Sequence, residues 1–414
     1  MSKRRVVVTG LGMISALGRT VPENWARMIE GRPGIAFGPL YSGGRVSTFL
    51  LSPLGLRIVA EVRDFNPSEH FEGAQLNAIS RFTQFAIVAA REAVCDAGIE
   101  WSEELREKTA TVTGSSLGGQ IPIEAMCADT HADRKLHPLT IVRAMSSAVA
   151  SAITMEFHLH GPAYSVAGAC ASANMSIGQA FRMIRAGEAE LAICGGSEAP
   201  FAESHLRAWD ALSAMTSDTC RPFSKDRRGM VMGEGGAILI LEPMDRVKAR
   251  GAKIYAEIVG YGSSSDAYHL MRPSGDGAVR AMRAALNDAD LPSEEVGYIN
   301  AHGTGTALND CVEAAAIREV FGQNVSRLAV SSTKSMHGHA LGAAGALEAV
   351  ATVLALHHGV LPPTANFLGP DPGCDLDVIP NEARRLSVAA ALSNSFAFGG
   401  LNAVLAFRAN GRNR

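Results

Sequence analysis

Apolar and polar positions along the chain switch between two periods. Over Arg81–Ala97, Phe82, Phe85, Ala86, Ala89 and Ala93 recur at helical spacing, and Gly98 supplies a stop. The same period predicts helices over Ala171–Ala186, closed by Gly187, over Gly277–Ala289, and over Leu341–Leu356, a stretch of small residues. Short apolar runs between them predict buried strands at Arg5–Thr9, Thr109–Thr113, Leu191–Cys194, Ala237–Leu241, Lys253–Val259, Val296–Ala301 and Ala389–Leu392, with a last strand near Val404–Phe407. Several of these runs meet glycines, which read as strand ends. Alternating strands and helices predict an α/β fold with a mixed or parallel sheet.

The pattern begins again near residue 250. A strand followed by Gly260-Tyr-Gly262 leads to a helix whose Ala285-Leu-Asn-Asp-Ala289 echoes Ala93-Val-Cys-Asp-Ala97. This predicts two related halves, 1–250 and 251–414, packed as one body without a long linker.

Composition narrows the class of function. Of 414 residues 47% are hydrophobic and 19% charged, enough apolar material for a large core. The 38 basic and 41 acidic residues leave a net charge of −3, so no basic field favours nucleic acid or an anionic membrane surface. With 42 glycines and few aromatics, close helix–sheet packing is expected. No run of 18 apolar residues predicts a membrane span. The start, Met1-Ser-Lys-Arg-Arg5, resembles a signal-peptide n-region. Its apolar run stops at glycines without a cleavage site, so it reads as a first strand. Seven cysteines, an odd number without CxxC spacing, disfavour disulfide frameworks and zinc sites. A reducing cytoplasm and a lone functional thiol fit best.

Cys170 follows strand-like Tyr164–Val166 and directly precedes a helix, among small residues in Gly168-Ala-Cys-Ala-Ser-Ala173. The positive end of the helix dipole is expected to lower its pKa and make it a better nucleophile. Position alone leaves a buried structural cysteine equally open. His302 lies in Asn300-Ala-His-Gly-Thr-Gly-Thr306, and His339 follows Lys334-Ser-Met-His-Gly338. Two histidines on glycine-rich loops at strand ends, with an elbow cysteine, suit thiol-based acyl transfer. His337-Gly-His339 has no third ligand spacing to support a metal. Gly10-Leu-Gly12 lacks the third glycine and distal acid of a dinucleotide fingerprint.

These motifs, in this order, resemble the β-ketoacyl-acyl-carrier-protein synthases of the elongating Cys-His-His class. The resemblance runs from Arg4-Arg-Val-Val-Val-Thr-Gly-Leu-Gly-Met13 through Ala169-Cys-Ala-Ser172, Cys220-Arg-Pro-Phe-Ser224, Gly229–Gly236, Asn300–Thr304, Lys334-Ser-Met336 and Gly338-His339. It ends at Asn394-Ser-Phe396, Phe398-Gly-Gly400 and Asn402. It implies a thiolase-like fold of two βαβ halves in five α-β-α-β-α layers, forming a homodimer. It implies Cys170 as acyl-accepting nucleophile, His302 and His339 for malonyl decarboxylation and enolate stabilisation, and Lys334 with Glu348 as their support. Phe398 is implied as a gate, sharing an oxyanion hole with the Cys170 N–H. Thr304 and Thr306 are implied to hold the phosphopantetheine arm, and Leu117 to line the acyl pocket near the dimer interface. The implied partner is an acyl carrier protein, and no metal or redox cofactor is implied.

The sequence departs from many relatives at Gly168, His337, Ala397 and Leu401, and at Asn77-Ala78, where consecutive basic residues are usual. Arg81, Arg207, Lys225, Arg227, Arg228 and Arg272 remain as candidate docking cations, and Glu69 and Glu72 add negative charge. His337 and Asp371-Pro-Gly-Cys-Asp-Leu-Asp377 are similar to nodulation-type and polyketide ketosynthases. A type II polyketide or polyene ketosynthase working with a Cys-less partner is therefore the alternative reading. A thiolase needs a second catalytic cysteine, and neither Cys311 nor Cys374 lies in a matching glycine motif.

Overall fold

The computed structural model describes residues 4–37 and 58–411; Met1–Lys3 of the basic start lie outside the described residues. Strands β1 (Val6–Ser15), β2 (Thr109–Gly114), β3 (Ala163–Val166), β4 (Leu191–Glu198) and β5 (Gly235–Pro243) lie in the order β3-β2-β4-β5-β1. Strands β6 (Ala256–Ser265), β7 (Val296–Asn300), β8 (Ala329–Ser331), β9 (Asp377–Val378), β10 (Ala390–Ala397) and β11 (Leu401–Ala409) lie in the order β9-β8-β7-β10-β11-β6. With the two-residue β9 set aside, both runs read 3-2-4-5-1 when each is numbered from its own first strand. Pairing senses repeat as well. β1 and β4 pair antiparallel with β5, as β6 and β10 do with β11, and the remaining pairs within each run are parallel.

Helices complete the layers. α1 (Arg81–Ala97) covers β1, β5 and β4 on one outer face. α2 (Ser172–Ala186) and α6 (Ala344–His358) pack together in the middle and touch strands of both runs. α4 (Gly275–Asp288) covers β6 and β11 on the opposite face, with α5 (Ala307–Phe321) against it. α3 (Glu203–Ala211) follows β4, and its first N–H groups donate to Glu124. The result is the five-layered α-β-α-β-α arrangement of the thiolase-like fold. The two strand runs are not separate sheets: Val6, Val7 and Val8 of β1 pair with Ile258, Glu257 and Ala256 of β6, which makes one continuous sheet of the described strands. Residues 341–358 are long and apolar enough to cross a membrane, and 89% of them are buried inside this fold. They form a core helix, because both of its flanks face sheet.

The glycines explain where the expected strand ends fail. β1 runs on through Gly10 and Gly12 to Ser15, β4 through Gly195-Gly196 to Glu198, and β6 through Gly260 and Gly262 to Ser265. A Cβ on Gly10 would sit 2.1 Å from the Ala93 carbonyl oxygen, and one on Gly12 1.8 Å from that of Ala89. In the second run, Gly260 and Gly262 meet the carbonyl oxygens of Ala285 and Ala281 at 2.4 and 2.1 Å. Glycine here marks backbone-to-backbone contact of strand and helix, not a turn. The echo of the two alanine-rich helices follows. Asp96 accepts from the Leu11 N–H at 3.0 Å, and Asp288 accepts from the Tyr261 N–H at 3.1 Å, so each Gly-x-Gly strand is tied to its helix in the same way.

Candidate active site

Cys170 sits on the turn between β3 and α2, one residue before the Ala171 N-cap. The turn is tight. Ala169 adopts φ +48°, Gly168 N–H donates to Ser172 Oγ at 2.9 Å, and Ser172 Oγ donates to Ala169 O at 2.6 Å. A Cβ at 168 would meet Met175 Sδ at 2.4 Å, so a larger residue there would have to move the Met175 side chain. The thiol reaches a cavity of about 350 Å³ that His302, His339, Thr304, Thr306 and Phe398 also line. The expected depression of the thiol pKa is not found: burial pushes it up to about 11, against the pull of Lys334 and of the Phe398 and Cys170 backbone N–H groups. Desolvation of a thiolate in a fully enclosed site outweighs a helix end and one ammonium.

His302 follows β7, and His339 lies on the loop between the short helix Lys334–His337 and the turn Leu341–Ala343. Their rings meet edge to face, 5.4 Å between centroids. Burial first, then the Lys334 charge, holds both far below the usual imidazole range, so both are neutral at pH 7. Lys334 is fully buried and donates to Glu348 and, at 2.6 Å, to the His302 carbonyl. Its Nζ also lies 3.3 Å from His302 Nδ1. An ammonium only donates, so Nδ1 accepts and the His302 proton resides on Nε2. His339 is fixed through its backbone: its N–H donates to Val231 O at 2.7 Å, and its carbonyl accepts from Gly233 N at 2.9 Å. The glycine motif at 229–236 is thereby the cradle of His339.

Three buried acids outside the anticipated set hold the loops around His302, Thr304 and Gly342. Glu313 on α5 accepts from the N–H groups of His302 and Gly303, both at 2.8 Å, and burial raises its pKa to about 7. Asp310 accepts from Thr304, Gly305 and Phe223. Glu198, at the end of β4, accepts from Ser115, Ser116 and Gly342. A readable signal existed for the first two, since acids four and seven residues beyond Thr306 share one face of the helix that follows the motif. Asn300 Oδ1, Asn394 Oδ1, Ser393 Oγ and Glu348 Oε2 are buried without a donor in the protein. Buried polar oxygens of this kind are commonly satisfied by ordered water.

Two family models match the chain in succession, Beta-ketoacyl synthase, N-terminal domain over residues 3–246 and Beta-ketoacyl synthase, C-terminal domain over 255–368. The chain belongs to the β-ketoacyl synthase family. It is 46% identical over 407 residues to nodulation protein E of Rhizobium sp. strain N33, covering 98% of this chain and 99% of that one. It is 38% identical over 414 residues to 3-oxoacyl-[acyl-carrier-protein] synthase 2 of Staphylococcus aureus strain COL, covering 98% of each. Among solved structures, the ishigamide ketosynthase/chain length factor superposes with a TM-score of 0.91 at 38% identity, covering 99% of this chain and 100% of that one. The chain is thus an acyltransferase, and its chemistry is ketosynthase condensation in fatty-acid or polyketide chain elongation.

At the mouth of this β-ketoacyl synthase, Thr304 and Thr306 share a hydroxyl–hydroxyl bond of 2.9 Å. Phe398 projects from the hairpin between β10 and β11, and its N–H is directed at the Cys170 thiol. Leu117 is not brought to the cavity. It is 48% exposed on the loop after β2, because nothing in the single chain covers that loop. Of the candidate docking cations, two are consumed inside the fold. Arg81 makes a two-pronged pair with buried Glu234 at 2.6 and 2.9 Å. Arg227 bridges Asp371, Asp310 and the carbonyls of Thr306 and Ala307. Arg228 and Arg272 are exposed at the cavity rim, and exposed Arg207 pairs with Glu203. His337 is buried with Nε2 3.0 Å from Thr333 Oγ1 and Nδ1 2.8 Å from Gly338 O, and burial lowers its pKa to about 3. Among the described residues no group of three or more His, Cys, Asp and Glu side chains gathers for a metal.

Proposed function

We propose that this β-ketoacyl synthase performs decarboxylative Claisen condensation on carrier-bound thioesters. The reading rests above all on one observation: a thiol, an N–H aimed at it and two neutral imidazoles line a single cavity. The half 1–250 contributes the thiol and the half 251–414 the histidines. Cys170 attacks an acyl thioester, its proton passes to the departing carrier thiol, and an S-acyl enzyme remains. The oxyanion formed on the way is met by the N–H groups of Cys170 and Phe398. Malonyl thioester then loses CO2. The resulting enolate oxygen accepts hydrogen bonds from His302 and His339, and its carbon attacks the acyl carbonyl, breaking the acyl–sulfur bond and releasing the Cys170 thiolate, which takes a proton from water. Lys334 and Glu348 hold His302 neutral with its Nε2–H forward. Thr304 and Thr306 hold the pantetheine arm. This scheme uses no metal or redox cofactor. Intact-mass detection of S-acyl enzyme, followed by its loss and CO2 release on adding malonyl carrier, tests it. A Cys170 that never takes up acyl groups would refute it.

The partner supported by the staphylococcal relative's name is an acyl carrier protein. Asn77 and Ala78 close the short helix Gly73–Ala78, where the family resemblance implies consecutive basic residues. A dedicated carrier is therefore preferred over a housekeeping one. Converting Asn77 and Ala78 to Arg should raise kcat/KM with a housekeeping carrier, and salt should erase the gain, since exposed charges are screened beyond about 10 Å at 0.1 M. Equal kcat/KM for both carriers in the unmodified enzyme would defeat this.

A homodimer is the proposed assembly. The edge strand β3 has Tyr164 exposed, and Ile141, Val142 and Met155 nearby in sequence are exposed as well. The named chain length factor in the ishigamide structure supports the second reading, in which a Cys-less chain takes that place. Either partner would cover Leu117. On that basis Leu117→Phe should reduce use of long acyl chains about 5- to 100-fold and spare short ones, as overpacking by roughly 1–3 kcal/mol implies. An unchanged chain-length preference would place the pocket elsewhere.

A further inference from the structure

We infer that Trp209, fixed by His205, is a positioning residue that holds Phe398 over Cys170 and so sets how readily the thiol is reached. The inference rests on the condensing reading for the meaning of Phe398, and on its own observations for Trp209. The Trp209 and Phe398 rings are stacked, 5.7 Å between centroids and 24° between planes, and both line the cavity that contains Cys170. Trp209 comes from α3, remote in sequence from the hairpin that carries Phe398. Its indole Nε1–H donates to His205 Nε2 at 2.7 Å, one helical turn earlier on the same helix. His205 is buried and neutral, so Nε2 is free to accept when the proton is on Nδ1. The helix start is itself anchored, because Glu124 accepts from the Glu203 and Ser204 N–H groups. Trp209 is thus tied to a helix that is itself anchored at its start.

Phe398 is attached more loosely. The next two residues, Gly399 and Gly400, have φ of +81° and +70°, and a Cβ on Gly399 would meet nothing within 4 Å. Three backbone bonds tie this turn, Gly399 N–H to Leu270 O, Gly400 N–H to Ala397 O and Asp266 N–H to Gly400 O, and all three are made by the glycines. A phenylalanine on a Gly-Gly turn can move, and a stack of this kind biases it toward one position. Aromatic pairs of this geometry shift such an equilibrium by roughly two- to tenfold.

The test is the rate at which iodoacetamide alkylates Cys170 in the free enzyme, read by peptide mass, with exposed Cys127 as internal reference. Trp209→Ala should speed alkylation of Cys170 about two- to tenfold relative to Cys127, and Trp209→Phe, which keeps a stacking ring, should restore the parent rate to within twofold. His205→Leu removes the anchor but leaves the indole, and should shift the ratio in the same direction; it decides the matter alone if Trp209→Ala does not fold. Acyl transfer to Cys170 should change in KM more than in kcat. An unchanged or slower Cys170-to-Cys127 ratio in both variants, or failure of Trp209→Phe to restore it, overturns the inference. A parent enzyme that is alkylated but never acylated overturns the condensing reading instead, and the alkylation ratios still decide the role of Trp209.

Discussion

Replacing Cys170 by alanine is expected to remove all acyl-enzyme and all condensation while leaving the fold intact. Only one buried sulfur is lost, a cost on the order of 1 kcal/mol for so small a deletion. Six other cysteines remain, and intact mass with peptide mapping distinguishes them; an acyl group on Cys194 or Cys220 would overturn the assignment. The buried environment adds a pH signature. With the thiol pushed up to about 11, the thiolate is a minor form at neutral pH. Alkylation of Cys170 in the free enzyme should then climb roughly tenfold per pH unit between 7 and 9, as the thiolate fraction does well below a pKa. A flat profile across that range would mean that the helix end and Lys334 outweigh burial. The comparison matters for mechanism, since a protonated resting thiol must lose its proton during attack on the thioester.

His302→Ala and His339→Ala should each retain acylation of Cys170 and lose condensation by several orders of magnitude. Removing a positioned donor at a developing oxyanion typically costs about 10²–10⁴-fold. In the proposed scheme the first half-reaction depends on backbone N–H groups that neither substitution touches. Single-turnover transfer from acyl carrier, measured apart from CO2 release, separates the two steps. Near-parental condensation in either variant would make that histidine structural. Because burial and Lys334 hold both imidazoles neutral far below their usual range, condensation should not fall as pH drops through 6.5. A loss centred there would show that an imidazole with an ordinary pKa carries the step.

Much of this was legible before any coordinates. Helical periodicity placed α1 and α2 almost to the residue, and the order of motifs from Ala169-Cys170 to Phe398 named the family and the cavity's lining. The weak echo of alanine helices pointed to the repeat that identical strand orders display. Local pattern failed where two segments meet. Glycines within β1, β4 and β6 read as ends because their contact lies on a helix distant in sequence. Arg81 and Arg227 read as docking cations because nothing local shows that Glu234 and Asp371 await them.

The sequence by itself determined which groups are the candidates for the chemistry: a cysteine before a helix, two histidines on glycine loops, and the lysine and glutamate that follow them. Those are choices of residue type and spacing, written in the covalent chain. Only the tertiary structure decided their state. Burial raised the thiol instead of lowering it, Lys334 set the His302 tautomer, and Glu313, Asp310 and Glu198 fixed the loops. It also left Leu117 uncovered and set Trp209 against Phe398. Desolvation and pairing depend on what surrounds a group in three dimensions, and a linear pattern does not carry that.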